Sequence, residues 1–168
     1  TVQVDQIEAP DGTLSADQIT ITNSNHAFRQ QRTLSPNTTY TFSFYAKRGT
    51  ATDLKYSVYD HSSGDIIAST SYYSQTSATE WRRIEVSFTT GSTTSISVYP
   101  LRDSAVTGTV YIWGAQLETG PYAGDYAKTT NAAASSARDV AFLPDGNGNF
   151  VSAGELLLEE SKTNLVTY

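Results

Sequence analysis

The chain has 168 residues, no cysteine, two histidines and a formal charge of −6, a length that suits one ordinary domain. Without cysteine there are no disulfides, thiolate zinc sites or cysteine nucleophiles. Seventeen acidic against eleven basic side chains argue against a phosphate-backbone partner, which calls for a basic footprint.

The remaining composition favours strands. Tyrosine is enriched at 11 residues, charged residues are only 17%, and serine and threonine are abundant. Thr, Tyr, Phe, Trp and Val suit strands, and good helix formers are sparse. No apolar window of about 18 residues occurs, so no membrane-spanning helix is expected. No charged segment followed by an apolar one marks a signal peptide. The chain starts at Thr1 without an initiator Met and stops in mid-pattern, as expected of a piece of a longer polypeptide.

Period-two alternation runs from residue 18 to residue 118. Gln18-Ile-Thr-Ile-Thr22 alternates and is broken by Asn23-Ser-Asn25. A second strand is expected over 26–34, closed by the turn Ser35-Pro-Asn37. In the third, over 39–47, Tyr40, Phe42, Phe44 and Ala46 share one face, and Thr41, Ser43, Tyr45 and Lys47 the other. Residues 54–60 repeat the scheme with Leu54, Tyr56 and Val58 inward. His61-Ser-Ser-Gly64 turns the chain into a strand at 66–69. The polar stretch 71–79 reads as a loop carrying Tyr72 and Tyr73, packed over one end of the fold. Residues 81–89 form a strand with Ile84, Val86 and Phe88 inward, and Trp81 reads as structural. Strands at 95–100 and 109–118 follow, and Gly114 suits a bulge or a close approach.

Seven or eight strands with polar turns and no crossover helices define an all-β, antiparallel β-sandwich. A jelly roll fits better than an immunoglobulin-like sandwich, because there is no Cys…Trp…Cys core. The sandwich is assigned to 1–119. Residues 120–168 read as a connector and C-terminal segment that packs on the core or leads into a following domain. Within it, 140–143 and 155–160 are apolar runs flanking a turn-rich stretch. Asp145, Asn147 and Asn149 begin a calcium-loop pattern that fails at Phe150 and Leu156, so a turn is the better account. Asn37-Thr-Thr39 is a formal glycosylation sequon.

Several strings together resemble the carbohydrate-binding-module-like jelly rolls of bacteriophage tail and other virion proteins. They are Ala9-Pro-Asp-Gly-Thr13, Tyr40-Thr-Phe-Ser-Phe-Tyr-Ala-Lys47, Trp81-Arg-Arg-Ile-Glu-Val-Ser-Phe88 and Tyr111-Ile-Trp-Gly-Ala-Gln-Leu-Glu118. Tyr126-Ala-Lys-Thr-Thr130, Ala137-Arg-Asp-Val-Ala141 and Leu157-Leu-Glu-Glu-Ser-Lys-Thr-Asn-Leu165 continue the likeness. It implies a non-catalytic module that binds oligo- or polysaccharide, on a virion or otherwise outside the cell. The alternative it leaves is a structural or assembly module of the same fold. Related modules often hold a structural calcium through an Asp in the last strand. Here that stretch reads Trp113-Gly114, so no metal ligand and no cofactor is assigned. In the pattern resembled, a Thr-Asn-Leu segment precedes the region of Thr1. Residues 162–168 are therefore expected to pair as a strand with the jelly roll, in cis or from a neighbouring copy.

Glycan faces combine aromatic rings with amides and charged groups that meet the sugar hydroxyls. The outward faces offer Tyr45, Lys47, Tyr59, Tyr99, Tyr111 and Trp113, joined by Arg29 and Gln31; they come from five strands, and several are expected to line one concave sheet. No motif gathers an acid, a base and a nucleophile. A carboxylate pair such as Asp103 with Glu118 or Glu80 with Glu85 would be a chance juxtaposition, and His26 beside Arg29 reads as a surface histidine in a turn.

Overall fold

The computed structural model describes residues 1–22, 27–92, 95–102 and 107–129, and beyond them the backbones of four short strands. Alternating sequences give nine strands in two antiparallel sheets. They are β1 (Val2–Glu8), β2 (Leu14–Ile21), β3 (Ala27–Thr33), β4 (Thr39–Arg48), β5 (Lys55–Asp60), β6 (Asp65–Ser71), β7 (Arg82–Thr89), β8 (Ser95–Arg102) and β9 (Gly108–Thr119). One sheet has the order β1-β2-β9-β4-β7 and the other β3-β8-β5-β6. The chain changes sheet at every connection except β1–β2 and β5–β6, which is the jelly roll rather than the immunoglobulin-like alternative. Among the described residues the one helical turn is Tyr73–Gln75.

The inward faces behave as alternation dictates. Tyr40, Phe42, Phe44 and Ala46 of β4 meet Ile84, Val86 and Phe88 of β7 in the core, with Val58, Val98 and Leu54 opposite them. Tyr72 lies in this core and is fully buried, its ring edge-on to Phe44 and stacked on Tyr56. It plugs the end of the sandwich, and burial drives its phenol well above the usual range. The 61–64 turn also forms as expected. Gly64 takes a positive φ of 79°, and the Asp60 carboxylate accepts the amides of Ser62 and Ser63.

Two differences from the sequence reading matter. The sandwich has nine strands instead of seven or eight, because β1 pairs along β2 at the sheet edge. Its Val2-Gln-Val-Asp5 alternation covers only four residues and Ile7 falls out of step with it, and Val2 and Val4 are exposed. In the tail, β10 (Ala134–Ser135) pairs with β13 (Thr163–Asn164), and β11 (Phe142–Pro144) pairs with β12 (Phe150–Ser152) around the expected turn. Thr163–Asn164 thus pairs with the connector and lies beside β9 of the sandwich, and the rest of 162–168 lies outside the described residues. His26, Asp103, the 155–160 run and the Asp145, Asn147, Asn149 set lie outside the described residues.

Candidate functional site

The outer face of the five-stranded sheet is organised by a bulge in β9. Ser43 of β4 pairs with Gln116 and Tyr45 with Trp113, so β9 carries one residue more than β4 across this interval. The extra residue resets the side-chain parity. Tyr111 and Trp113 point outward before it, and Gln116 and Glu118 point outward after it, while Val110, Ile112, Ala115 and Leu117 face the core. Gly114 supplies the bend at φ +61°, a left-handed conformation that glycine adopts without a Cβ penalty. A Cβ there would stand 3.2 Å from the Tyr45 ring and 3.3 Å from that of Tyr126.

Three aromatic rings converge over this bulge. Trp113 and Tyr45 have centroids 5.5 Å apart, and Tyr126 closes on Trp113 at 4.4 Å. Trp113 is only 7% exposed and donates its indole N–H to Ser15 Oγ at 2.9 Å. Burial, helped by the negative charge of Asp11, pushes the Tyr126 phenol up to about 12.

Tyr126 arrives on a strap that follows β9 and folds back over the same face. Thr41 Oγ1 donates to the Gly120 carbonyl at 2.7 Å, and Glu118 Oε2 accepts the Gly124 amide at 3.0 Å. Gln116 holds the strap twice, donating to the Asp125 carbonyl at 3.0 Å and accepting the Ala127 amide at 2.8 Å. Gln116 and Glu118 are each 1% exposed, so part of the outward face is covered by the chain itself.

Beside the strap a cavity of about 380 Å³ remains, lined by Asp5, Ser15, Asp17, Trp113, Tyr126 and Lys128 among others. Asp17 accepts the Asp5 amide, and partial burial raises its carboxyl above the usual range. An indole wall, a phenol, a hydroxyl, carboxylates and an ammonium in one recess can take up a polyhydroxylated ligand. On the β4–β7 side, Arg83 donates to Ser43 Oγ and lies over the Tyr45 ring.

The eight expected site residues divide between two faces. Tyr45, Lys47, Tyr111 and Trp113 lie on the outer face of the five-stranded sheet, and Lys47 pairs directly with Tyr111. Tyr59, Tyr99, Arg29 and Gln31 lie on the outer face of the four-stranded sheet, with the core between the two groups. Several of the eight thus share one sheet, as expected, but the two groups of four do not join into one surface. Alternation separates inward from outward, but sheet membership depends on topology. Tyr99 is 4% exposed and offers no open ring face. Trp81 is structural as expected, its indole N–H donating to the Glu8 carbonyl. Tyr126, Ser15 and Asp17 were missed. Tyr126 stands in a segment of small polar residues, and its only signal was its place in the Tyr126-Ala-Lys-Thr-Thr130 string.

Residues 1–99 match the family model for the Carbohydrate binding domain, CBM_4_9, and the chain belongs to that family. The match spans β1 to β7 and the first part of β8, and ends before Trp113 and the strap. No curated protein matches the chain. Among solved structures, the CBM22-1 xylan-binding domain of Paenibacillus barcinonensis Xyn10C is similar at 18% identity and TM-score 0.55, over 73% of this chain and 83% of that one. The CBM22-1–GH10 modules of Clostridium thermocellum Xyn10B, complexed with xylohexaose, align at 16% identity and TM-score 0.53, over 78% of this chain and 26% of that one. A CBM4 structure aligns at 17% identity and TM-score 0.50, over 71% and 78%. At these identities the likeness speaks to the jelly-roll fold.

Proposed function

We propose that the chain is a non-catalytic module that binds a glycan chain in the recess beside the strap. Trp113 and Tyr126 form the apolar wall, and Asp17, Ser15 and Lys128 meet sugar hydroxyls. The observation that carries this reading is the cavity of about 380 Å³ with its indole wall and polar rim on the outer face of the five-stranded sheet. Membership of a carbohydrate-binding family supports the ligand class. Trp113 acts here through the small part of its surface left open to the recess, since Tyr45 and Tyr126 pack on it. With aromatic contacts at about 0.5–1.5 kcal/mol each beyond area burial, single-module affinity falls in roughly the millimolar to micromolar range. Firm attachment then requires several copies.

A phage tail or other virion appendage is the setting the ordered strings support, with self-association through 162–168 part of that reading. A glycan microarray and a xylan pull-down test the function. Retention of a neutral glycan by the native chain, weakened about tenfold by Asp17→Ala with a cooperative melting transition retained, supports it. Absence of retention across the array overturns it.

A second reading, an assembly module without a glycan site, is favoured by the strap. Three outward side chains, Thr41, Gln116 and Glu118, hold the chain's own backbone across the face a ligand would use.

A further inference from the structure

The wall of the recess beside Trp113 has a hydrogen-bond polarity set by residues behind it. Thr13 donates its hydroxyl proton to Asp11 Oδ1 at 2.7 Å and its amide to the same oxygen at 3.0 Å. These two bonds hold the Asp11 carboxyl below its usual range. Thr13 Oγ1 also lies 2.6 Å from Ser15 Oγ, and with its own proton committed to Asp11 it can only accept there. The Ser15 proton therefore goes to Thr13. Ser15 Oγ already accepts the Trp113 indole N–H, so the one position it has left is a lone pair. Whatever meets Ser15 in the recess must donate.

The two carboxylates of the recess impose the same demand. Between the pairs Gln3–Gln18 and Ile7–Ala16, β1 sets Val4, Asp5 and Gln6 opposite Asp17 alone. The resulting bulge turns through Asp5 at φ +55°, whose amide donates to Asp17 Oδ1 at 3.2 Å, and both residues line the recess. Neither carboxylate takes part in an ion pair among the described residues. Asp17 feels the charge of Asp5, whereas the Lys128 ammonium acts on Asp11, which is not part of the lining. Carboxylates beside the Trp113 and Tyr126 rings suit a donor that also carries positive charge.

We infer that the recess takes a glycan bearing free amino groups, with the ammonium of a 2-amino-2-deoxy sugar seated among Asp5, Asp17 and Ser15. This assignment rests on the recess being the glycan site and adds the class of sugar it prefers. Neutral sugars still fit, since hydroxyls donate too, but an ammonium brings several donors and a charge to a wall of acceptors. N-acetylation removes that charge, and a uronic acid would set like charges side by side.

The test is titration calorimetry of the full chain, at mildly acidic pH, with glucosamine, N-acetylglucosamine and xylose oligomers of equal length. The glucosamine oligomer should bind about tenfold more tightly than the other two, and the excess should shrink as salt is raised. Asp17→Asn and Asp5→Asn each keep an acceptor and remove a charge, and each should cut that ratio about threefold. Thr13→Val frees the Ser15 proton to turn into the recess and should narrow the ratio as well. Asp65→Asn, at an exposed position on β6 of the other sheet, should leave it unchanged, which separates the recess from the general pull of an acidic chain on a cation. Equal affinity for the glucosamine and xylose oligomers overturns the inference and leaves the glycan reading standing. A preference that survives both recess substitutions, or falls equally in Asp65→Asn, also overturns it. An unchanged ratio in Thr13→Val overturns the acceptor role of Ser15. Absence of binding by all three oligomers overturns the glycan reading and this inference with it.

Discussion

Trp113 and Tyr126 stand 4.4 Å apart between ring centroids, at an interplanar angle of 52°, and the contact joins the last sandwich strand to the strap behind it. Trp113 is thereby a packing centre as well as a wall of the recess. Tyr126→Ala should cost about 1–2 kcal/mol, from the ring pair and the cover it provides. In a Trp81→Phe background, the substitution should also red-shift the remaining indole emission and raise acrylamide quenching. Unchanged emission would place the strap elsewhere in solution.

Gly114→Ala tests the bulge. A non-glycine residue at φ +61° costs about 1–2 kcal/mol, and the new methyl group would press on two rings as well. The loss, read from denaturant midpoints, should be smaller when measured in Tyr126→Ala, where one ring is gone. Equal losses in both backgrounds would remove the steric part of the argument.

Gln116→Ala releases the strap at both amide contacts and should destabilise the fold by about 2 kcal/mol. Hydrogen exchange at the Ala127 amide is the sharper readout, because that N–H loses its acceptor on Gln116. Protection equal to the native chain would mean the clamp is redundant.

Asp17 gives a pH signature. Its carboxyl is raised by desolvation, with the Asp5 amide opposing. The folded state therefore holds its proton more tightly than the unfolded chain. Stability from this group is greatest below the unfolded carboxylate range and falls as pH rises through the folded pKa. Asp17→Asn, whose amide oxygen can still accept the Asp5 N–H, should raise the melting temperature at pH 7 and leave it unchanged near pH 3. A drop at pH 7 would assign the carboxylate a stabilising partner instead.

The strands that alternate cleanly were legible because a period of two leaves Phe42, Phe44, Ile84 and Val86 no other face to occupy. β1 was not, since Val2-Gln-Val-Asp5 alternates over only four residues before the irregularity at Asp5 puts Ile7 out of step. The bulge could be read at Gly114, a glycine inside an apolar strand, but its effect on Gln116 and Glu118 could not. That effect appears only when β9 is laid against β4. The division of the aromatic residues between two outer faces was hidden for a related reason. Tyr45 and Tyr99 look alike in sequence, and the sheet each joins is decided by pairings made far along the chain.

The position of β9 has a consequence for how the protein is made. It is the last of the nine strands and the middle one of its sheet, with Asp17 opposite Ile112 and Tyr45 opposite Trp113. During synthesis β4 is complete at Arg48, yet its partner ends only at Thr119. At roughly 5–20 residues per second the interval is about 4–14 s. Over that time β2 and β4 emerge with apolar faces and unpaired edges, so the nascent chain is open to wrong pairing until the central strand leaves the ribosome.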